Sequence, residues 1–165
     1  MSNNTTALTF QTLGLSTVEL TCIRLIPVEE TKGGKTRASA EAKMVQREGL
    51  PNSLFAQITM NVIGQPNDRP DEISFKVKLT LETQLLFASE APDPKKLSTD
   101  LARSIYEPLF FTALERCRMN VWQLGYGGVR LPIKRLDFNK VPDLPTSTTK
   151  VVKKRTPNLK VKSKS

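Results

Sequence analysis

Alternation of apolar and polar residues predicts two neighbouring strands in the middle of the chain. Residues 73–82 place an apolar side chain at every second position, and residues 54–63 follow the same rule. Strict alternation predicts one buried and one solvated face, which is typical of an antiparallel sheet. Because only a short loop with two prolines, residues 64–71, separates the two runs, we expect the strands to pair with each other.

The first apolar stretch, residues 8–27, predicts a long strand whose faces change along its length. Its apolar residues lie at even-numbered positions, then at odd-numbered ones, then at even-numbered ones again: Leu8 and Phe10, then Leu13 and Leu15, then Val18, Leu20 and Cys22. A slip of one residue exchanges the two faces of a strand. The changes near Thr12 and Thr17 therefore predict bulges or bends, with Gly14 close by. Two separate strands are the alternative interpretation.

The segment after this strand carries weaker signals. Residues 31–40 read as a polar, glycine-containing loop, and residues 41–47 as a weak strand or a short helix. A turn signal follows at residues 49–52.

A long helix closes the predicted domain. Ser98, Thr99 or Asp100 can cap its start, and Gly125 stops it after Leu124. Pro108 lies inside this segment and predicts a kink, since proline removes one helical hydrogen bond.

Strands followed by one helix predict an α+β fold, with an antiparallel four-stranded sheet and a long kinked helix. One helix shields only part of such a sheet, and 38% of the residues are hydrophobic. The subunit would therefore expose apolar surface when alone, which predicts an oligomer.

Composition excludes several classes of function. The chain of 165 residues has no histidine, which rules out Ser-His and Cys-His nucleophiles and histidine-containing metal sites. Its two cysteines, Cys22 and Cys117, lack metal-ligand spacing and are expected to be buried thiols, with a disulfide or functional thiol as the alternative. We expect no enzyme activity, no metal and no cofactor. Without a signal peptide or an apolar run of membrane length, a cytoplasmic protein without membrane insertion is expected.

Charge divides the chain into a nearly neutral body and a basic tail. The net charge is +9, and residues 140–165 contain eight basic side chains and one acidic one. We therefore predict a disordered N-terminus at residues 1–6, one domain at residues 7–139 and a disordered basic tail at residues 140–165.

The end of the domain resembles the SecB family of preprotein-export chaperones. Tyr106 and Pro108 lie in the first half of the helix, Arg116 follows, and a glycine loop at Gly125 leads through Leu131 to an extended stretch that ends in Asp137-Phe138. Leu8-Thr9-Phe10-Gln11 is similar to the opening of the family's first strand. The resemblance covers residues 7–139 and is specific over residues 106–138.

This resemblance implies a holdase, a homotetramer built as a dimer of dimers, with the helix at the oligomer interface. The family holds unfolded or precursor polypeptides in apolar grooves without ATP and delivers them to the SecA motor for export. The lysines on the polar face of strand 73–82 and the basic tail depart from the family's acidic pattern and argue against classical SecA coupling. They favour the divergent members associated with toxin–antitoxin modules and mobile elements.

Two sets of apolar residues are candidates for binding. The expected client-binding residues are Phe10, Leu13, Leu15, Phe55, Met60 and Ile63. The expected oligomer-interface residues are Tyr106, Phe110, Phe111, Leu114 and Trp122. Packing in the sheet–helix core is the competing interpretation for both sets.

The basic tail has three interpretations: a solubilising extension, a contact for nucleic acid, or a dock for an acidic protein. Its basic residues are Lys150, Lys153, Lys154, Arg155, Lys160, Lys162 and Lys164. Because clustered cations bind phosphates, a small basic nucleic-acid-binding protein is the alternative function. A structural component of a large assembly is a third. The glycines of residues 125–128 follow a helix and lack the Lys-Ser/Thr of a phosphate loop, so that motif is rejected.

Overall fold

The fold was analysed on a computed structural model, which describes residues 9–31 and 33–131. Four strands and one helix make up the domain: β1 (Phe10–Arg24), β2 (Gly34–Val45), β3 (Ser53–Pro66), β4 (Phe75–Phe87) and α1 (Thr99–Gln123). Short 3-10 turns at Val28–Glu30 and Pro94–Lys96 precede β2 and α1.

The strands form one antiparallel sheet in the order β1-β4-β3-β2. The connection from β1 to β2 therefore crosses from one edge of the sheet to the other. A four-stranded antiparallel sheet followed by one long helix confirms the predicted fold class.

β1 is a single strand with two irregularities. Its pairing with β4 shifts between Leu13 and Ser16 and again between Thr17 and Glu19. Gly14, in the first of these intervals, has φ +65°, a conformation that glycine adopts without steric cost. The predicted phase changes are thus confirmed as β-bulges within one strand.

The prediction of a loop at residues 31–40 was wrong, because β2 begins at Gly34. Its residues do alternate, but the positions toward the helix are occupied by small side chains: Ala38, Ala40 and Ala42. Alanine gives a weak apolar signal, so the alternation was not recognised as a strand.

The core lies between α1 and the two central strands, β3 and β4. Ile58, Met60 and Leu81 are among the side chains that this interface buries completely or almost completely. The Ser98 hydroxyl accepts a hydrogen bond from the Leu101 N–H and caps the helix, and Gly125 follows its end with φ +95°. These bounds confirm the predicted helix, whose residues continue without interruption through Pro108.

The opposite face of the sheet is not covered by α1, and its centre is polar. Its central residue is Glu82, whose carboxylate accepts hydrogen bonds from Arg47 at 2.7 Å and from Gln57 at 2.6 Å. Lys78 forms an ion pair with Glu19 on the neighbouring strand at 2.7 Å. Cross-strand pairs of this kind keep the face soluble and hold its register.

Several sequence predictions concern residues outside the described part of the chain. These are the N-terminal segment 1–6, the Asp137-Phe138 motif and the basic tail with its lysines and Arg155. They stay predictions.

Candidate functional site

β1 is an edge strand that exposes many large apolar side chains. Because the two bulges exchange its faces, apolar residues are exposed on both sides of the strand. The exposed residues of β1 are Leu13, Leu15, Val18, Leu20 and Ile23. Edge strands of soluble monomers usually carry charges or are covered, so this strand is suited to contact another polypeptide.

A groove of about 420 Å³, which we call the β1 groove, separates the first half of β1 from α1. Its apolar walls come from two strands and the helix: Phe10 and Leu15 of β1, Leu85 of β4, and Ile105, Pro108 and Leu109 of α1. At its end, the ring of Phe10 lies 5.8 Å from that of Phe87.

Three of the four hydroxyl groups that line the β1 groove, all except that of Thr12, form hydrogen bonds inside the subunit. Thr83 donates a hydrogen bond to the Gly14 carbonyl at 2.7 Å, and Ser104 donates to the Leu101 carbonyl at 2.8 Å. Thr112 donates to the Pro108 carbonyl at 3.0 Å. A ligand in this groove therefore meets apolar surface with few directional polar requirements, which permits many apolar sequences.

The second half of β1 contacts α1 directly and closes the groove at that end. Arg116 donates a hydrogen bond to the Thr17 hydroxyl at 2.9 Å, so this family-like arginine has a partner in its own subunit. The Cys22 thiol lies 3.9 Å from the carbonyl oxygen of Asn120.

Both cysteines are free thiols, with Cys117 buried and Cys22 half-buried. Burial, with a smaller contribution from the nearby Cys22, raises the pKa of the Cys117 thiol to about 12. Burial also raises the pKa of Cys22. A thiol with so high a pKa is protonated at neutral pH and is a poor nucleophile.

The side of α1 that faces away from the sheet carries large apolar residues, and we call it the outer helix face. Phe111 is 50% exposed and Trp122 is 63% exposed, and Met119 lies exposed between them. An ion pair between Glu115 and Arg118 is part of the same face. A surface that combines large apolar side chains with paired charges is typical of protein–protein contacts.

The expected interface residues do not all lie on this face. Tyr106 and Phe110 are buried against the sheet of their own subunit, and Leu114 is half-buried. Assignment of Tyr106 and Phe110 to an intersubunit contact is corrected, because β3 and β4 already cover that side of the helix.

The expected client-binding residues likewise lie in different places: some are accessible, and others are buried. Phe10 and Leu15 line the β1 groove, Leu13 is exposed on the same strand, and Ile63 is half-buried. Met60 is completely buried under the helix, so its assignment to a client surface is corrected.

The assignment of Phe55 to a client surface is also corrected, for a different reason. It is buried, and the Arg47 guanidinium carbon lies 3.9 Å from the centre of its ring. This cation–π contact covers the ring on the polar face of the sheet.

A second cavity, of about 760 Å³, lies at the far end of the sheet, and we call it the loop cavity. Four parts of the chain surround it: the segment from the end of β1 to β2, the end of β3, the start of β4 with Ser74 before it, and the loop 125–130 after α1. The sequence did not predict this cavity, because its glycines and cations are spread over distant segments that only the fold brings together.

Two further properties concern the described residues alone. Within residues 9–31 and 33–131, no group of three or more metal-ligating side chains could hold a metal ion. No helix in the same part of the chain is long and apolar enough to cross a membrane.

The fold is that of the SecB-like chaperones. A solved structure of the Mycobacterium tuberculosis Rv1957 SecB-like chaperone, in complex with a ChAD peptide from the Rv1956 HigA1 antitoxin, superposes with a TM-score of 0.58. The two sequences are 11% identical, and the match covers 76% of this chain and 90% of that one. A Streptococcus agalactiae protein of unknown function is similar over 77% of this chain and 99% of its own, with 11% identity and a TM-score of 0.42. No family model and no curated protein matches the sequence.

Proposed function

We propose that this protein is an ATP-independent holdase that binds non-native polypeptides along β1. The observation that carries the proposal is the β1 groove, an apolar channel most of whose wall hydroxyls are satisfied internally, next to an edge strand with exposed apolar side chains. The fold neighbour from M. tuberculosis, which is a chaperone in complex with a peptide, supports the same class of function.

The size of the groove suits weak and reversible binding. Each large apolar side chain that leaves water contributes about 2 kcal/mol before ordering costs are subtracted. A segment with two or three such residues would be held without a strict sequence requirement, as a holdase needs. Delivery of clients for export, contact with SecA and a cytoplasmic location stay predictions.

We also propose that the subunits associate through the outer helix face, as a homotetramer. Phe111, Met119 and Trp122 expose apolar surface there, and burying it between subunits is favourable.

Substitution of Leu15 by aspartate tests the client site. The change places a carboxylate in the β1 groove, so we expect at least about a tenfold loss of affinity for a denatured substrate, since a buried unpaired charge is strongly unfavourable. Suppression of aggregation at stoichiometric ratios, followed by light scattering, measures the effect.

Leu50→Asp is the matched control, because Leu50 is 39% exposed and Leu15 is 40% exposed. Leu50 lies in the turn between β2 and β3, away from the groove. If both variants protected the substrate as well as the wild type, the groove would not be the client site. Aggregation undiminished by the wild-type protein would exclude the holdase function itself.

The double variant Phe111→Asp/Trp122→Asp tests association. We expect the mass measured by multi-angle light scattering to fall to about half that of the wild type or less, because two carboxylates would oppose burial of the outer helix face. Leu50→Asp again serves as the control and should keep the wild-type mass. An unchanged mass for the double variant would place the interface elsewhere.

A further inference from the structure

We propose that the loop cavity binds a polypeptide segment in which a carboxylate lies next to an apolar side chain. The inference rests on the proposed function for the class of ligand, a polypeptide. It adds a second subsite with its own chemical preference, distinct from the apolar β1 groove.

The charge of the loop cavity favours an anionic group. Lys35, Arg37 and Arg130 line it, and no acidic residue does. In the described part of the chain, none of these three cations takes part in an ion pair. Of the three acids in the β3–β4 loop, Asp68 and Glu72 form ion pairs with Arg69. A carboxylate in the cavity would therefore gain charge-assisted hydrogen bonds without displacing an internal partner.

A buried hydroxyl at the cavity wall also lacks a partner. Ser74 is 2% exposed, and its Oγ is the buried side-chain polar atom left without a hydrogen bond among the described residues. Its carbonyl is already occupied, because the backbone N–H groups of Leu25 and Ile26 donate to it at 2.8 and 3.1 Å. Buried hydroxyl groups are normally satisfied. This unpaired hydroxyl therefore marks a polar position in the cavity wall.

Part of the remaining wall is apolar, beside the polar side chains of Thr31, Thr36 and Gln65. The rings of Phe75 and Tyr126 lie 4.6 Å apart, and the Tyr126 hydroxyl donates to the Ile26 carbonyl at 2.8 Å. Val28 and Val129 extend this wall. The cavity therefore combines an apolar surface with cations, which fits an apolar side chain adjacent to a carboxylate.

The aromatic residues here argue for a polypeptide and against a nucleic acid. Single-stranded nucleic acids bind by stacking bases on exposed rings. Phe75 and Tyr126 are both buried and packed on each other, so they offer no face to a base. At Gly128, where a Cβ atom would meet no heavy atom within 4 Å, the glycine backbone leaves room for an extended main chain to approach.

Three peptides of nine residues, rich in leucine and valine and capped at both ends except where stated, test the proposal on the full-length protein. One has a central glutamate, one has glutamine at that position, and one has the glutamine with a free C-terminal carboxylate. We expect a carboxylate-bearing peptide to bind about fivefold more tightly than the neutral one in fluorescence anisotropy, as several exposed cations each contribute modestly. Preference for the glutamate peptide assigns the site to internal acidic residues, and preference for the free carboxylate assigns it to chain ends. Either result supports the proposal.

Substitutions inside and outside the loop cavity test whether the cavity causes the preference for a carboxylate-bearing peptide. Lys35→Gln/Arg37→Gln/Arg130→Gln should abolish the preference and leave affinity for the neutral peptide unchanged. Lys43→Gln, on the same strand but outside the cavity, should keep the preference. Equal affinities for all three peptides, or a preference that survives in the triple variant, would overturn the inference while leaving the holdase function intact. No binding of any peptide would contradict both proposals.

Discussion

Replacing Gly64 by alanine is expected to lower the free energy of unfolding by about 3 kcal/mol. A Cβ atom at this position would lie 2.1 Å from Cε1 and 2.5 Å from Cδ1 of the Phe75 ring. The ring cannot move aside easily, because it is buried and packs against Tyr126. Urea denaturation followed by circular dichroism measures the change.

Gly128→Ala is the matched control for this prediction. A Cβ at Gly128 has no heavy atom within 4 Å, so the same methyl group should change stability by no more than about 0.5 kcal/mol. Similar losses in the two variants would mean that the Phe75 ring does not constrain Gly64. Because Gly64, Phe75 and Gly128 all line the loop cavity, the pair also tests how firmly that wall is packed.

Replacing Met60 by alanine is expected to destabilise the fold by about 3 kcal/mol and to leave client binding unchanged. The side chain is completely buried between β3 and α1, so its removal leaves a cavity in the core. Chemical denaturation measures the first effect, and the aggregation assay, performed at a temperature where the variant is folded, measures the second.

Ile63→Ala is the comparison on the same strand. Ile63 lies on the opposite face of β3 and is half-buried, so the loss should be about 1 kcal/mol. If Met60→Ala weakened client binding while keeping its stability, Met60 would be accessible in solution, and its placement in the core would be wrong.

Local sequence patterns were sufficient to predict a strand or helix where large apolar and polar residues differ clearly along it, or where its ends carry capping residues. β4 alternates between large apolar and polar residues, and α1 has a capping serine and a terminating glycine. Such signals act over a few residues and do not depend on the element against which the strand or helix packs. These elements could therefore be predicted. β2 has alanine where β4 has leucine and valine, and that contrast was too weak to identify it.

Alternation predicts two faces but does not say which one the helix covers. Phe55 and Met60 lie on opposite faces of β3, and both were assigned to client binding. The packing of α1 on one face buries Met60, and Arg47 covers Phe55 on the other. The same ambiguity affected Tyr106 and Phe110, since an apolar helix face packs equally well on a sheet or on another subunit.

The order of apolar and polar residues by itself determined the α+β class, the bulges of β1 and the surplus of apolar surface over what one helix covers. The tertiary structure decided which apolar residues stay accessible and where a binding site forms. It left β1 at an edge, opened a groove beside α1, and joined four distant segments around the loop cavity. Periodicity reflects the immediate neighbours of a residue along one element, whereas a groove or a cavity depends on the distance between elements, which is set by the packing of the whole chain.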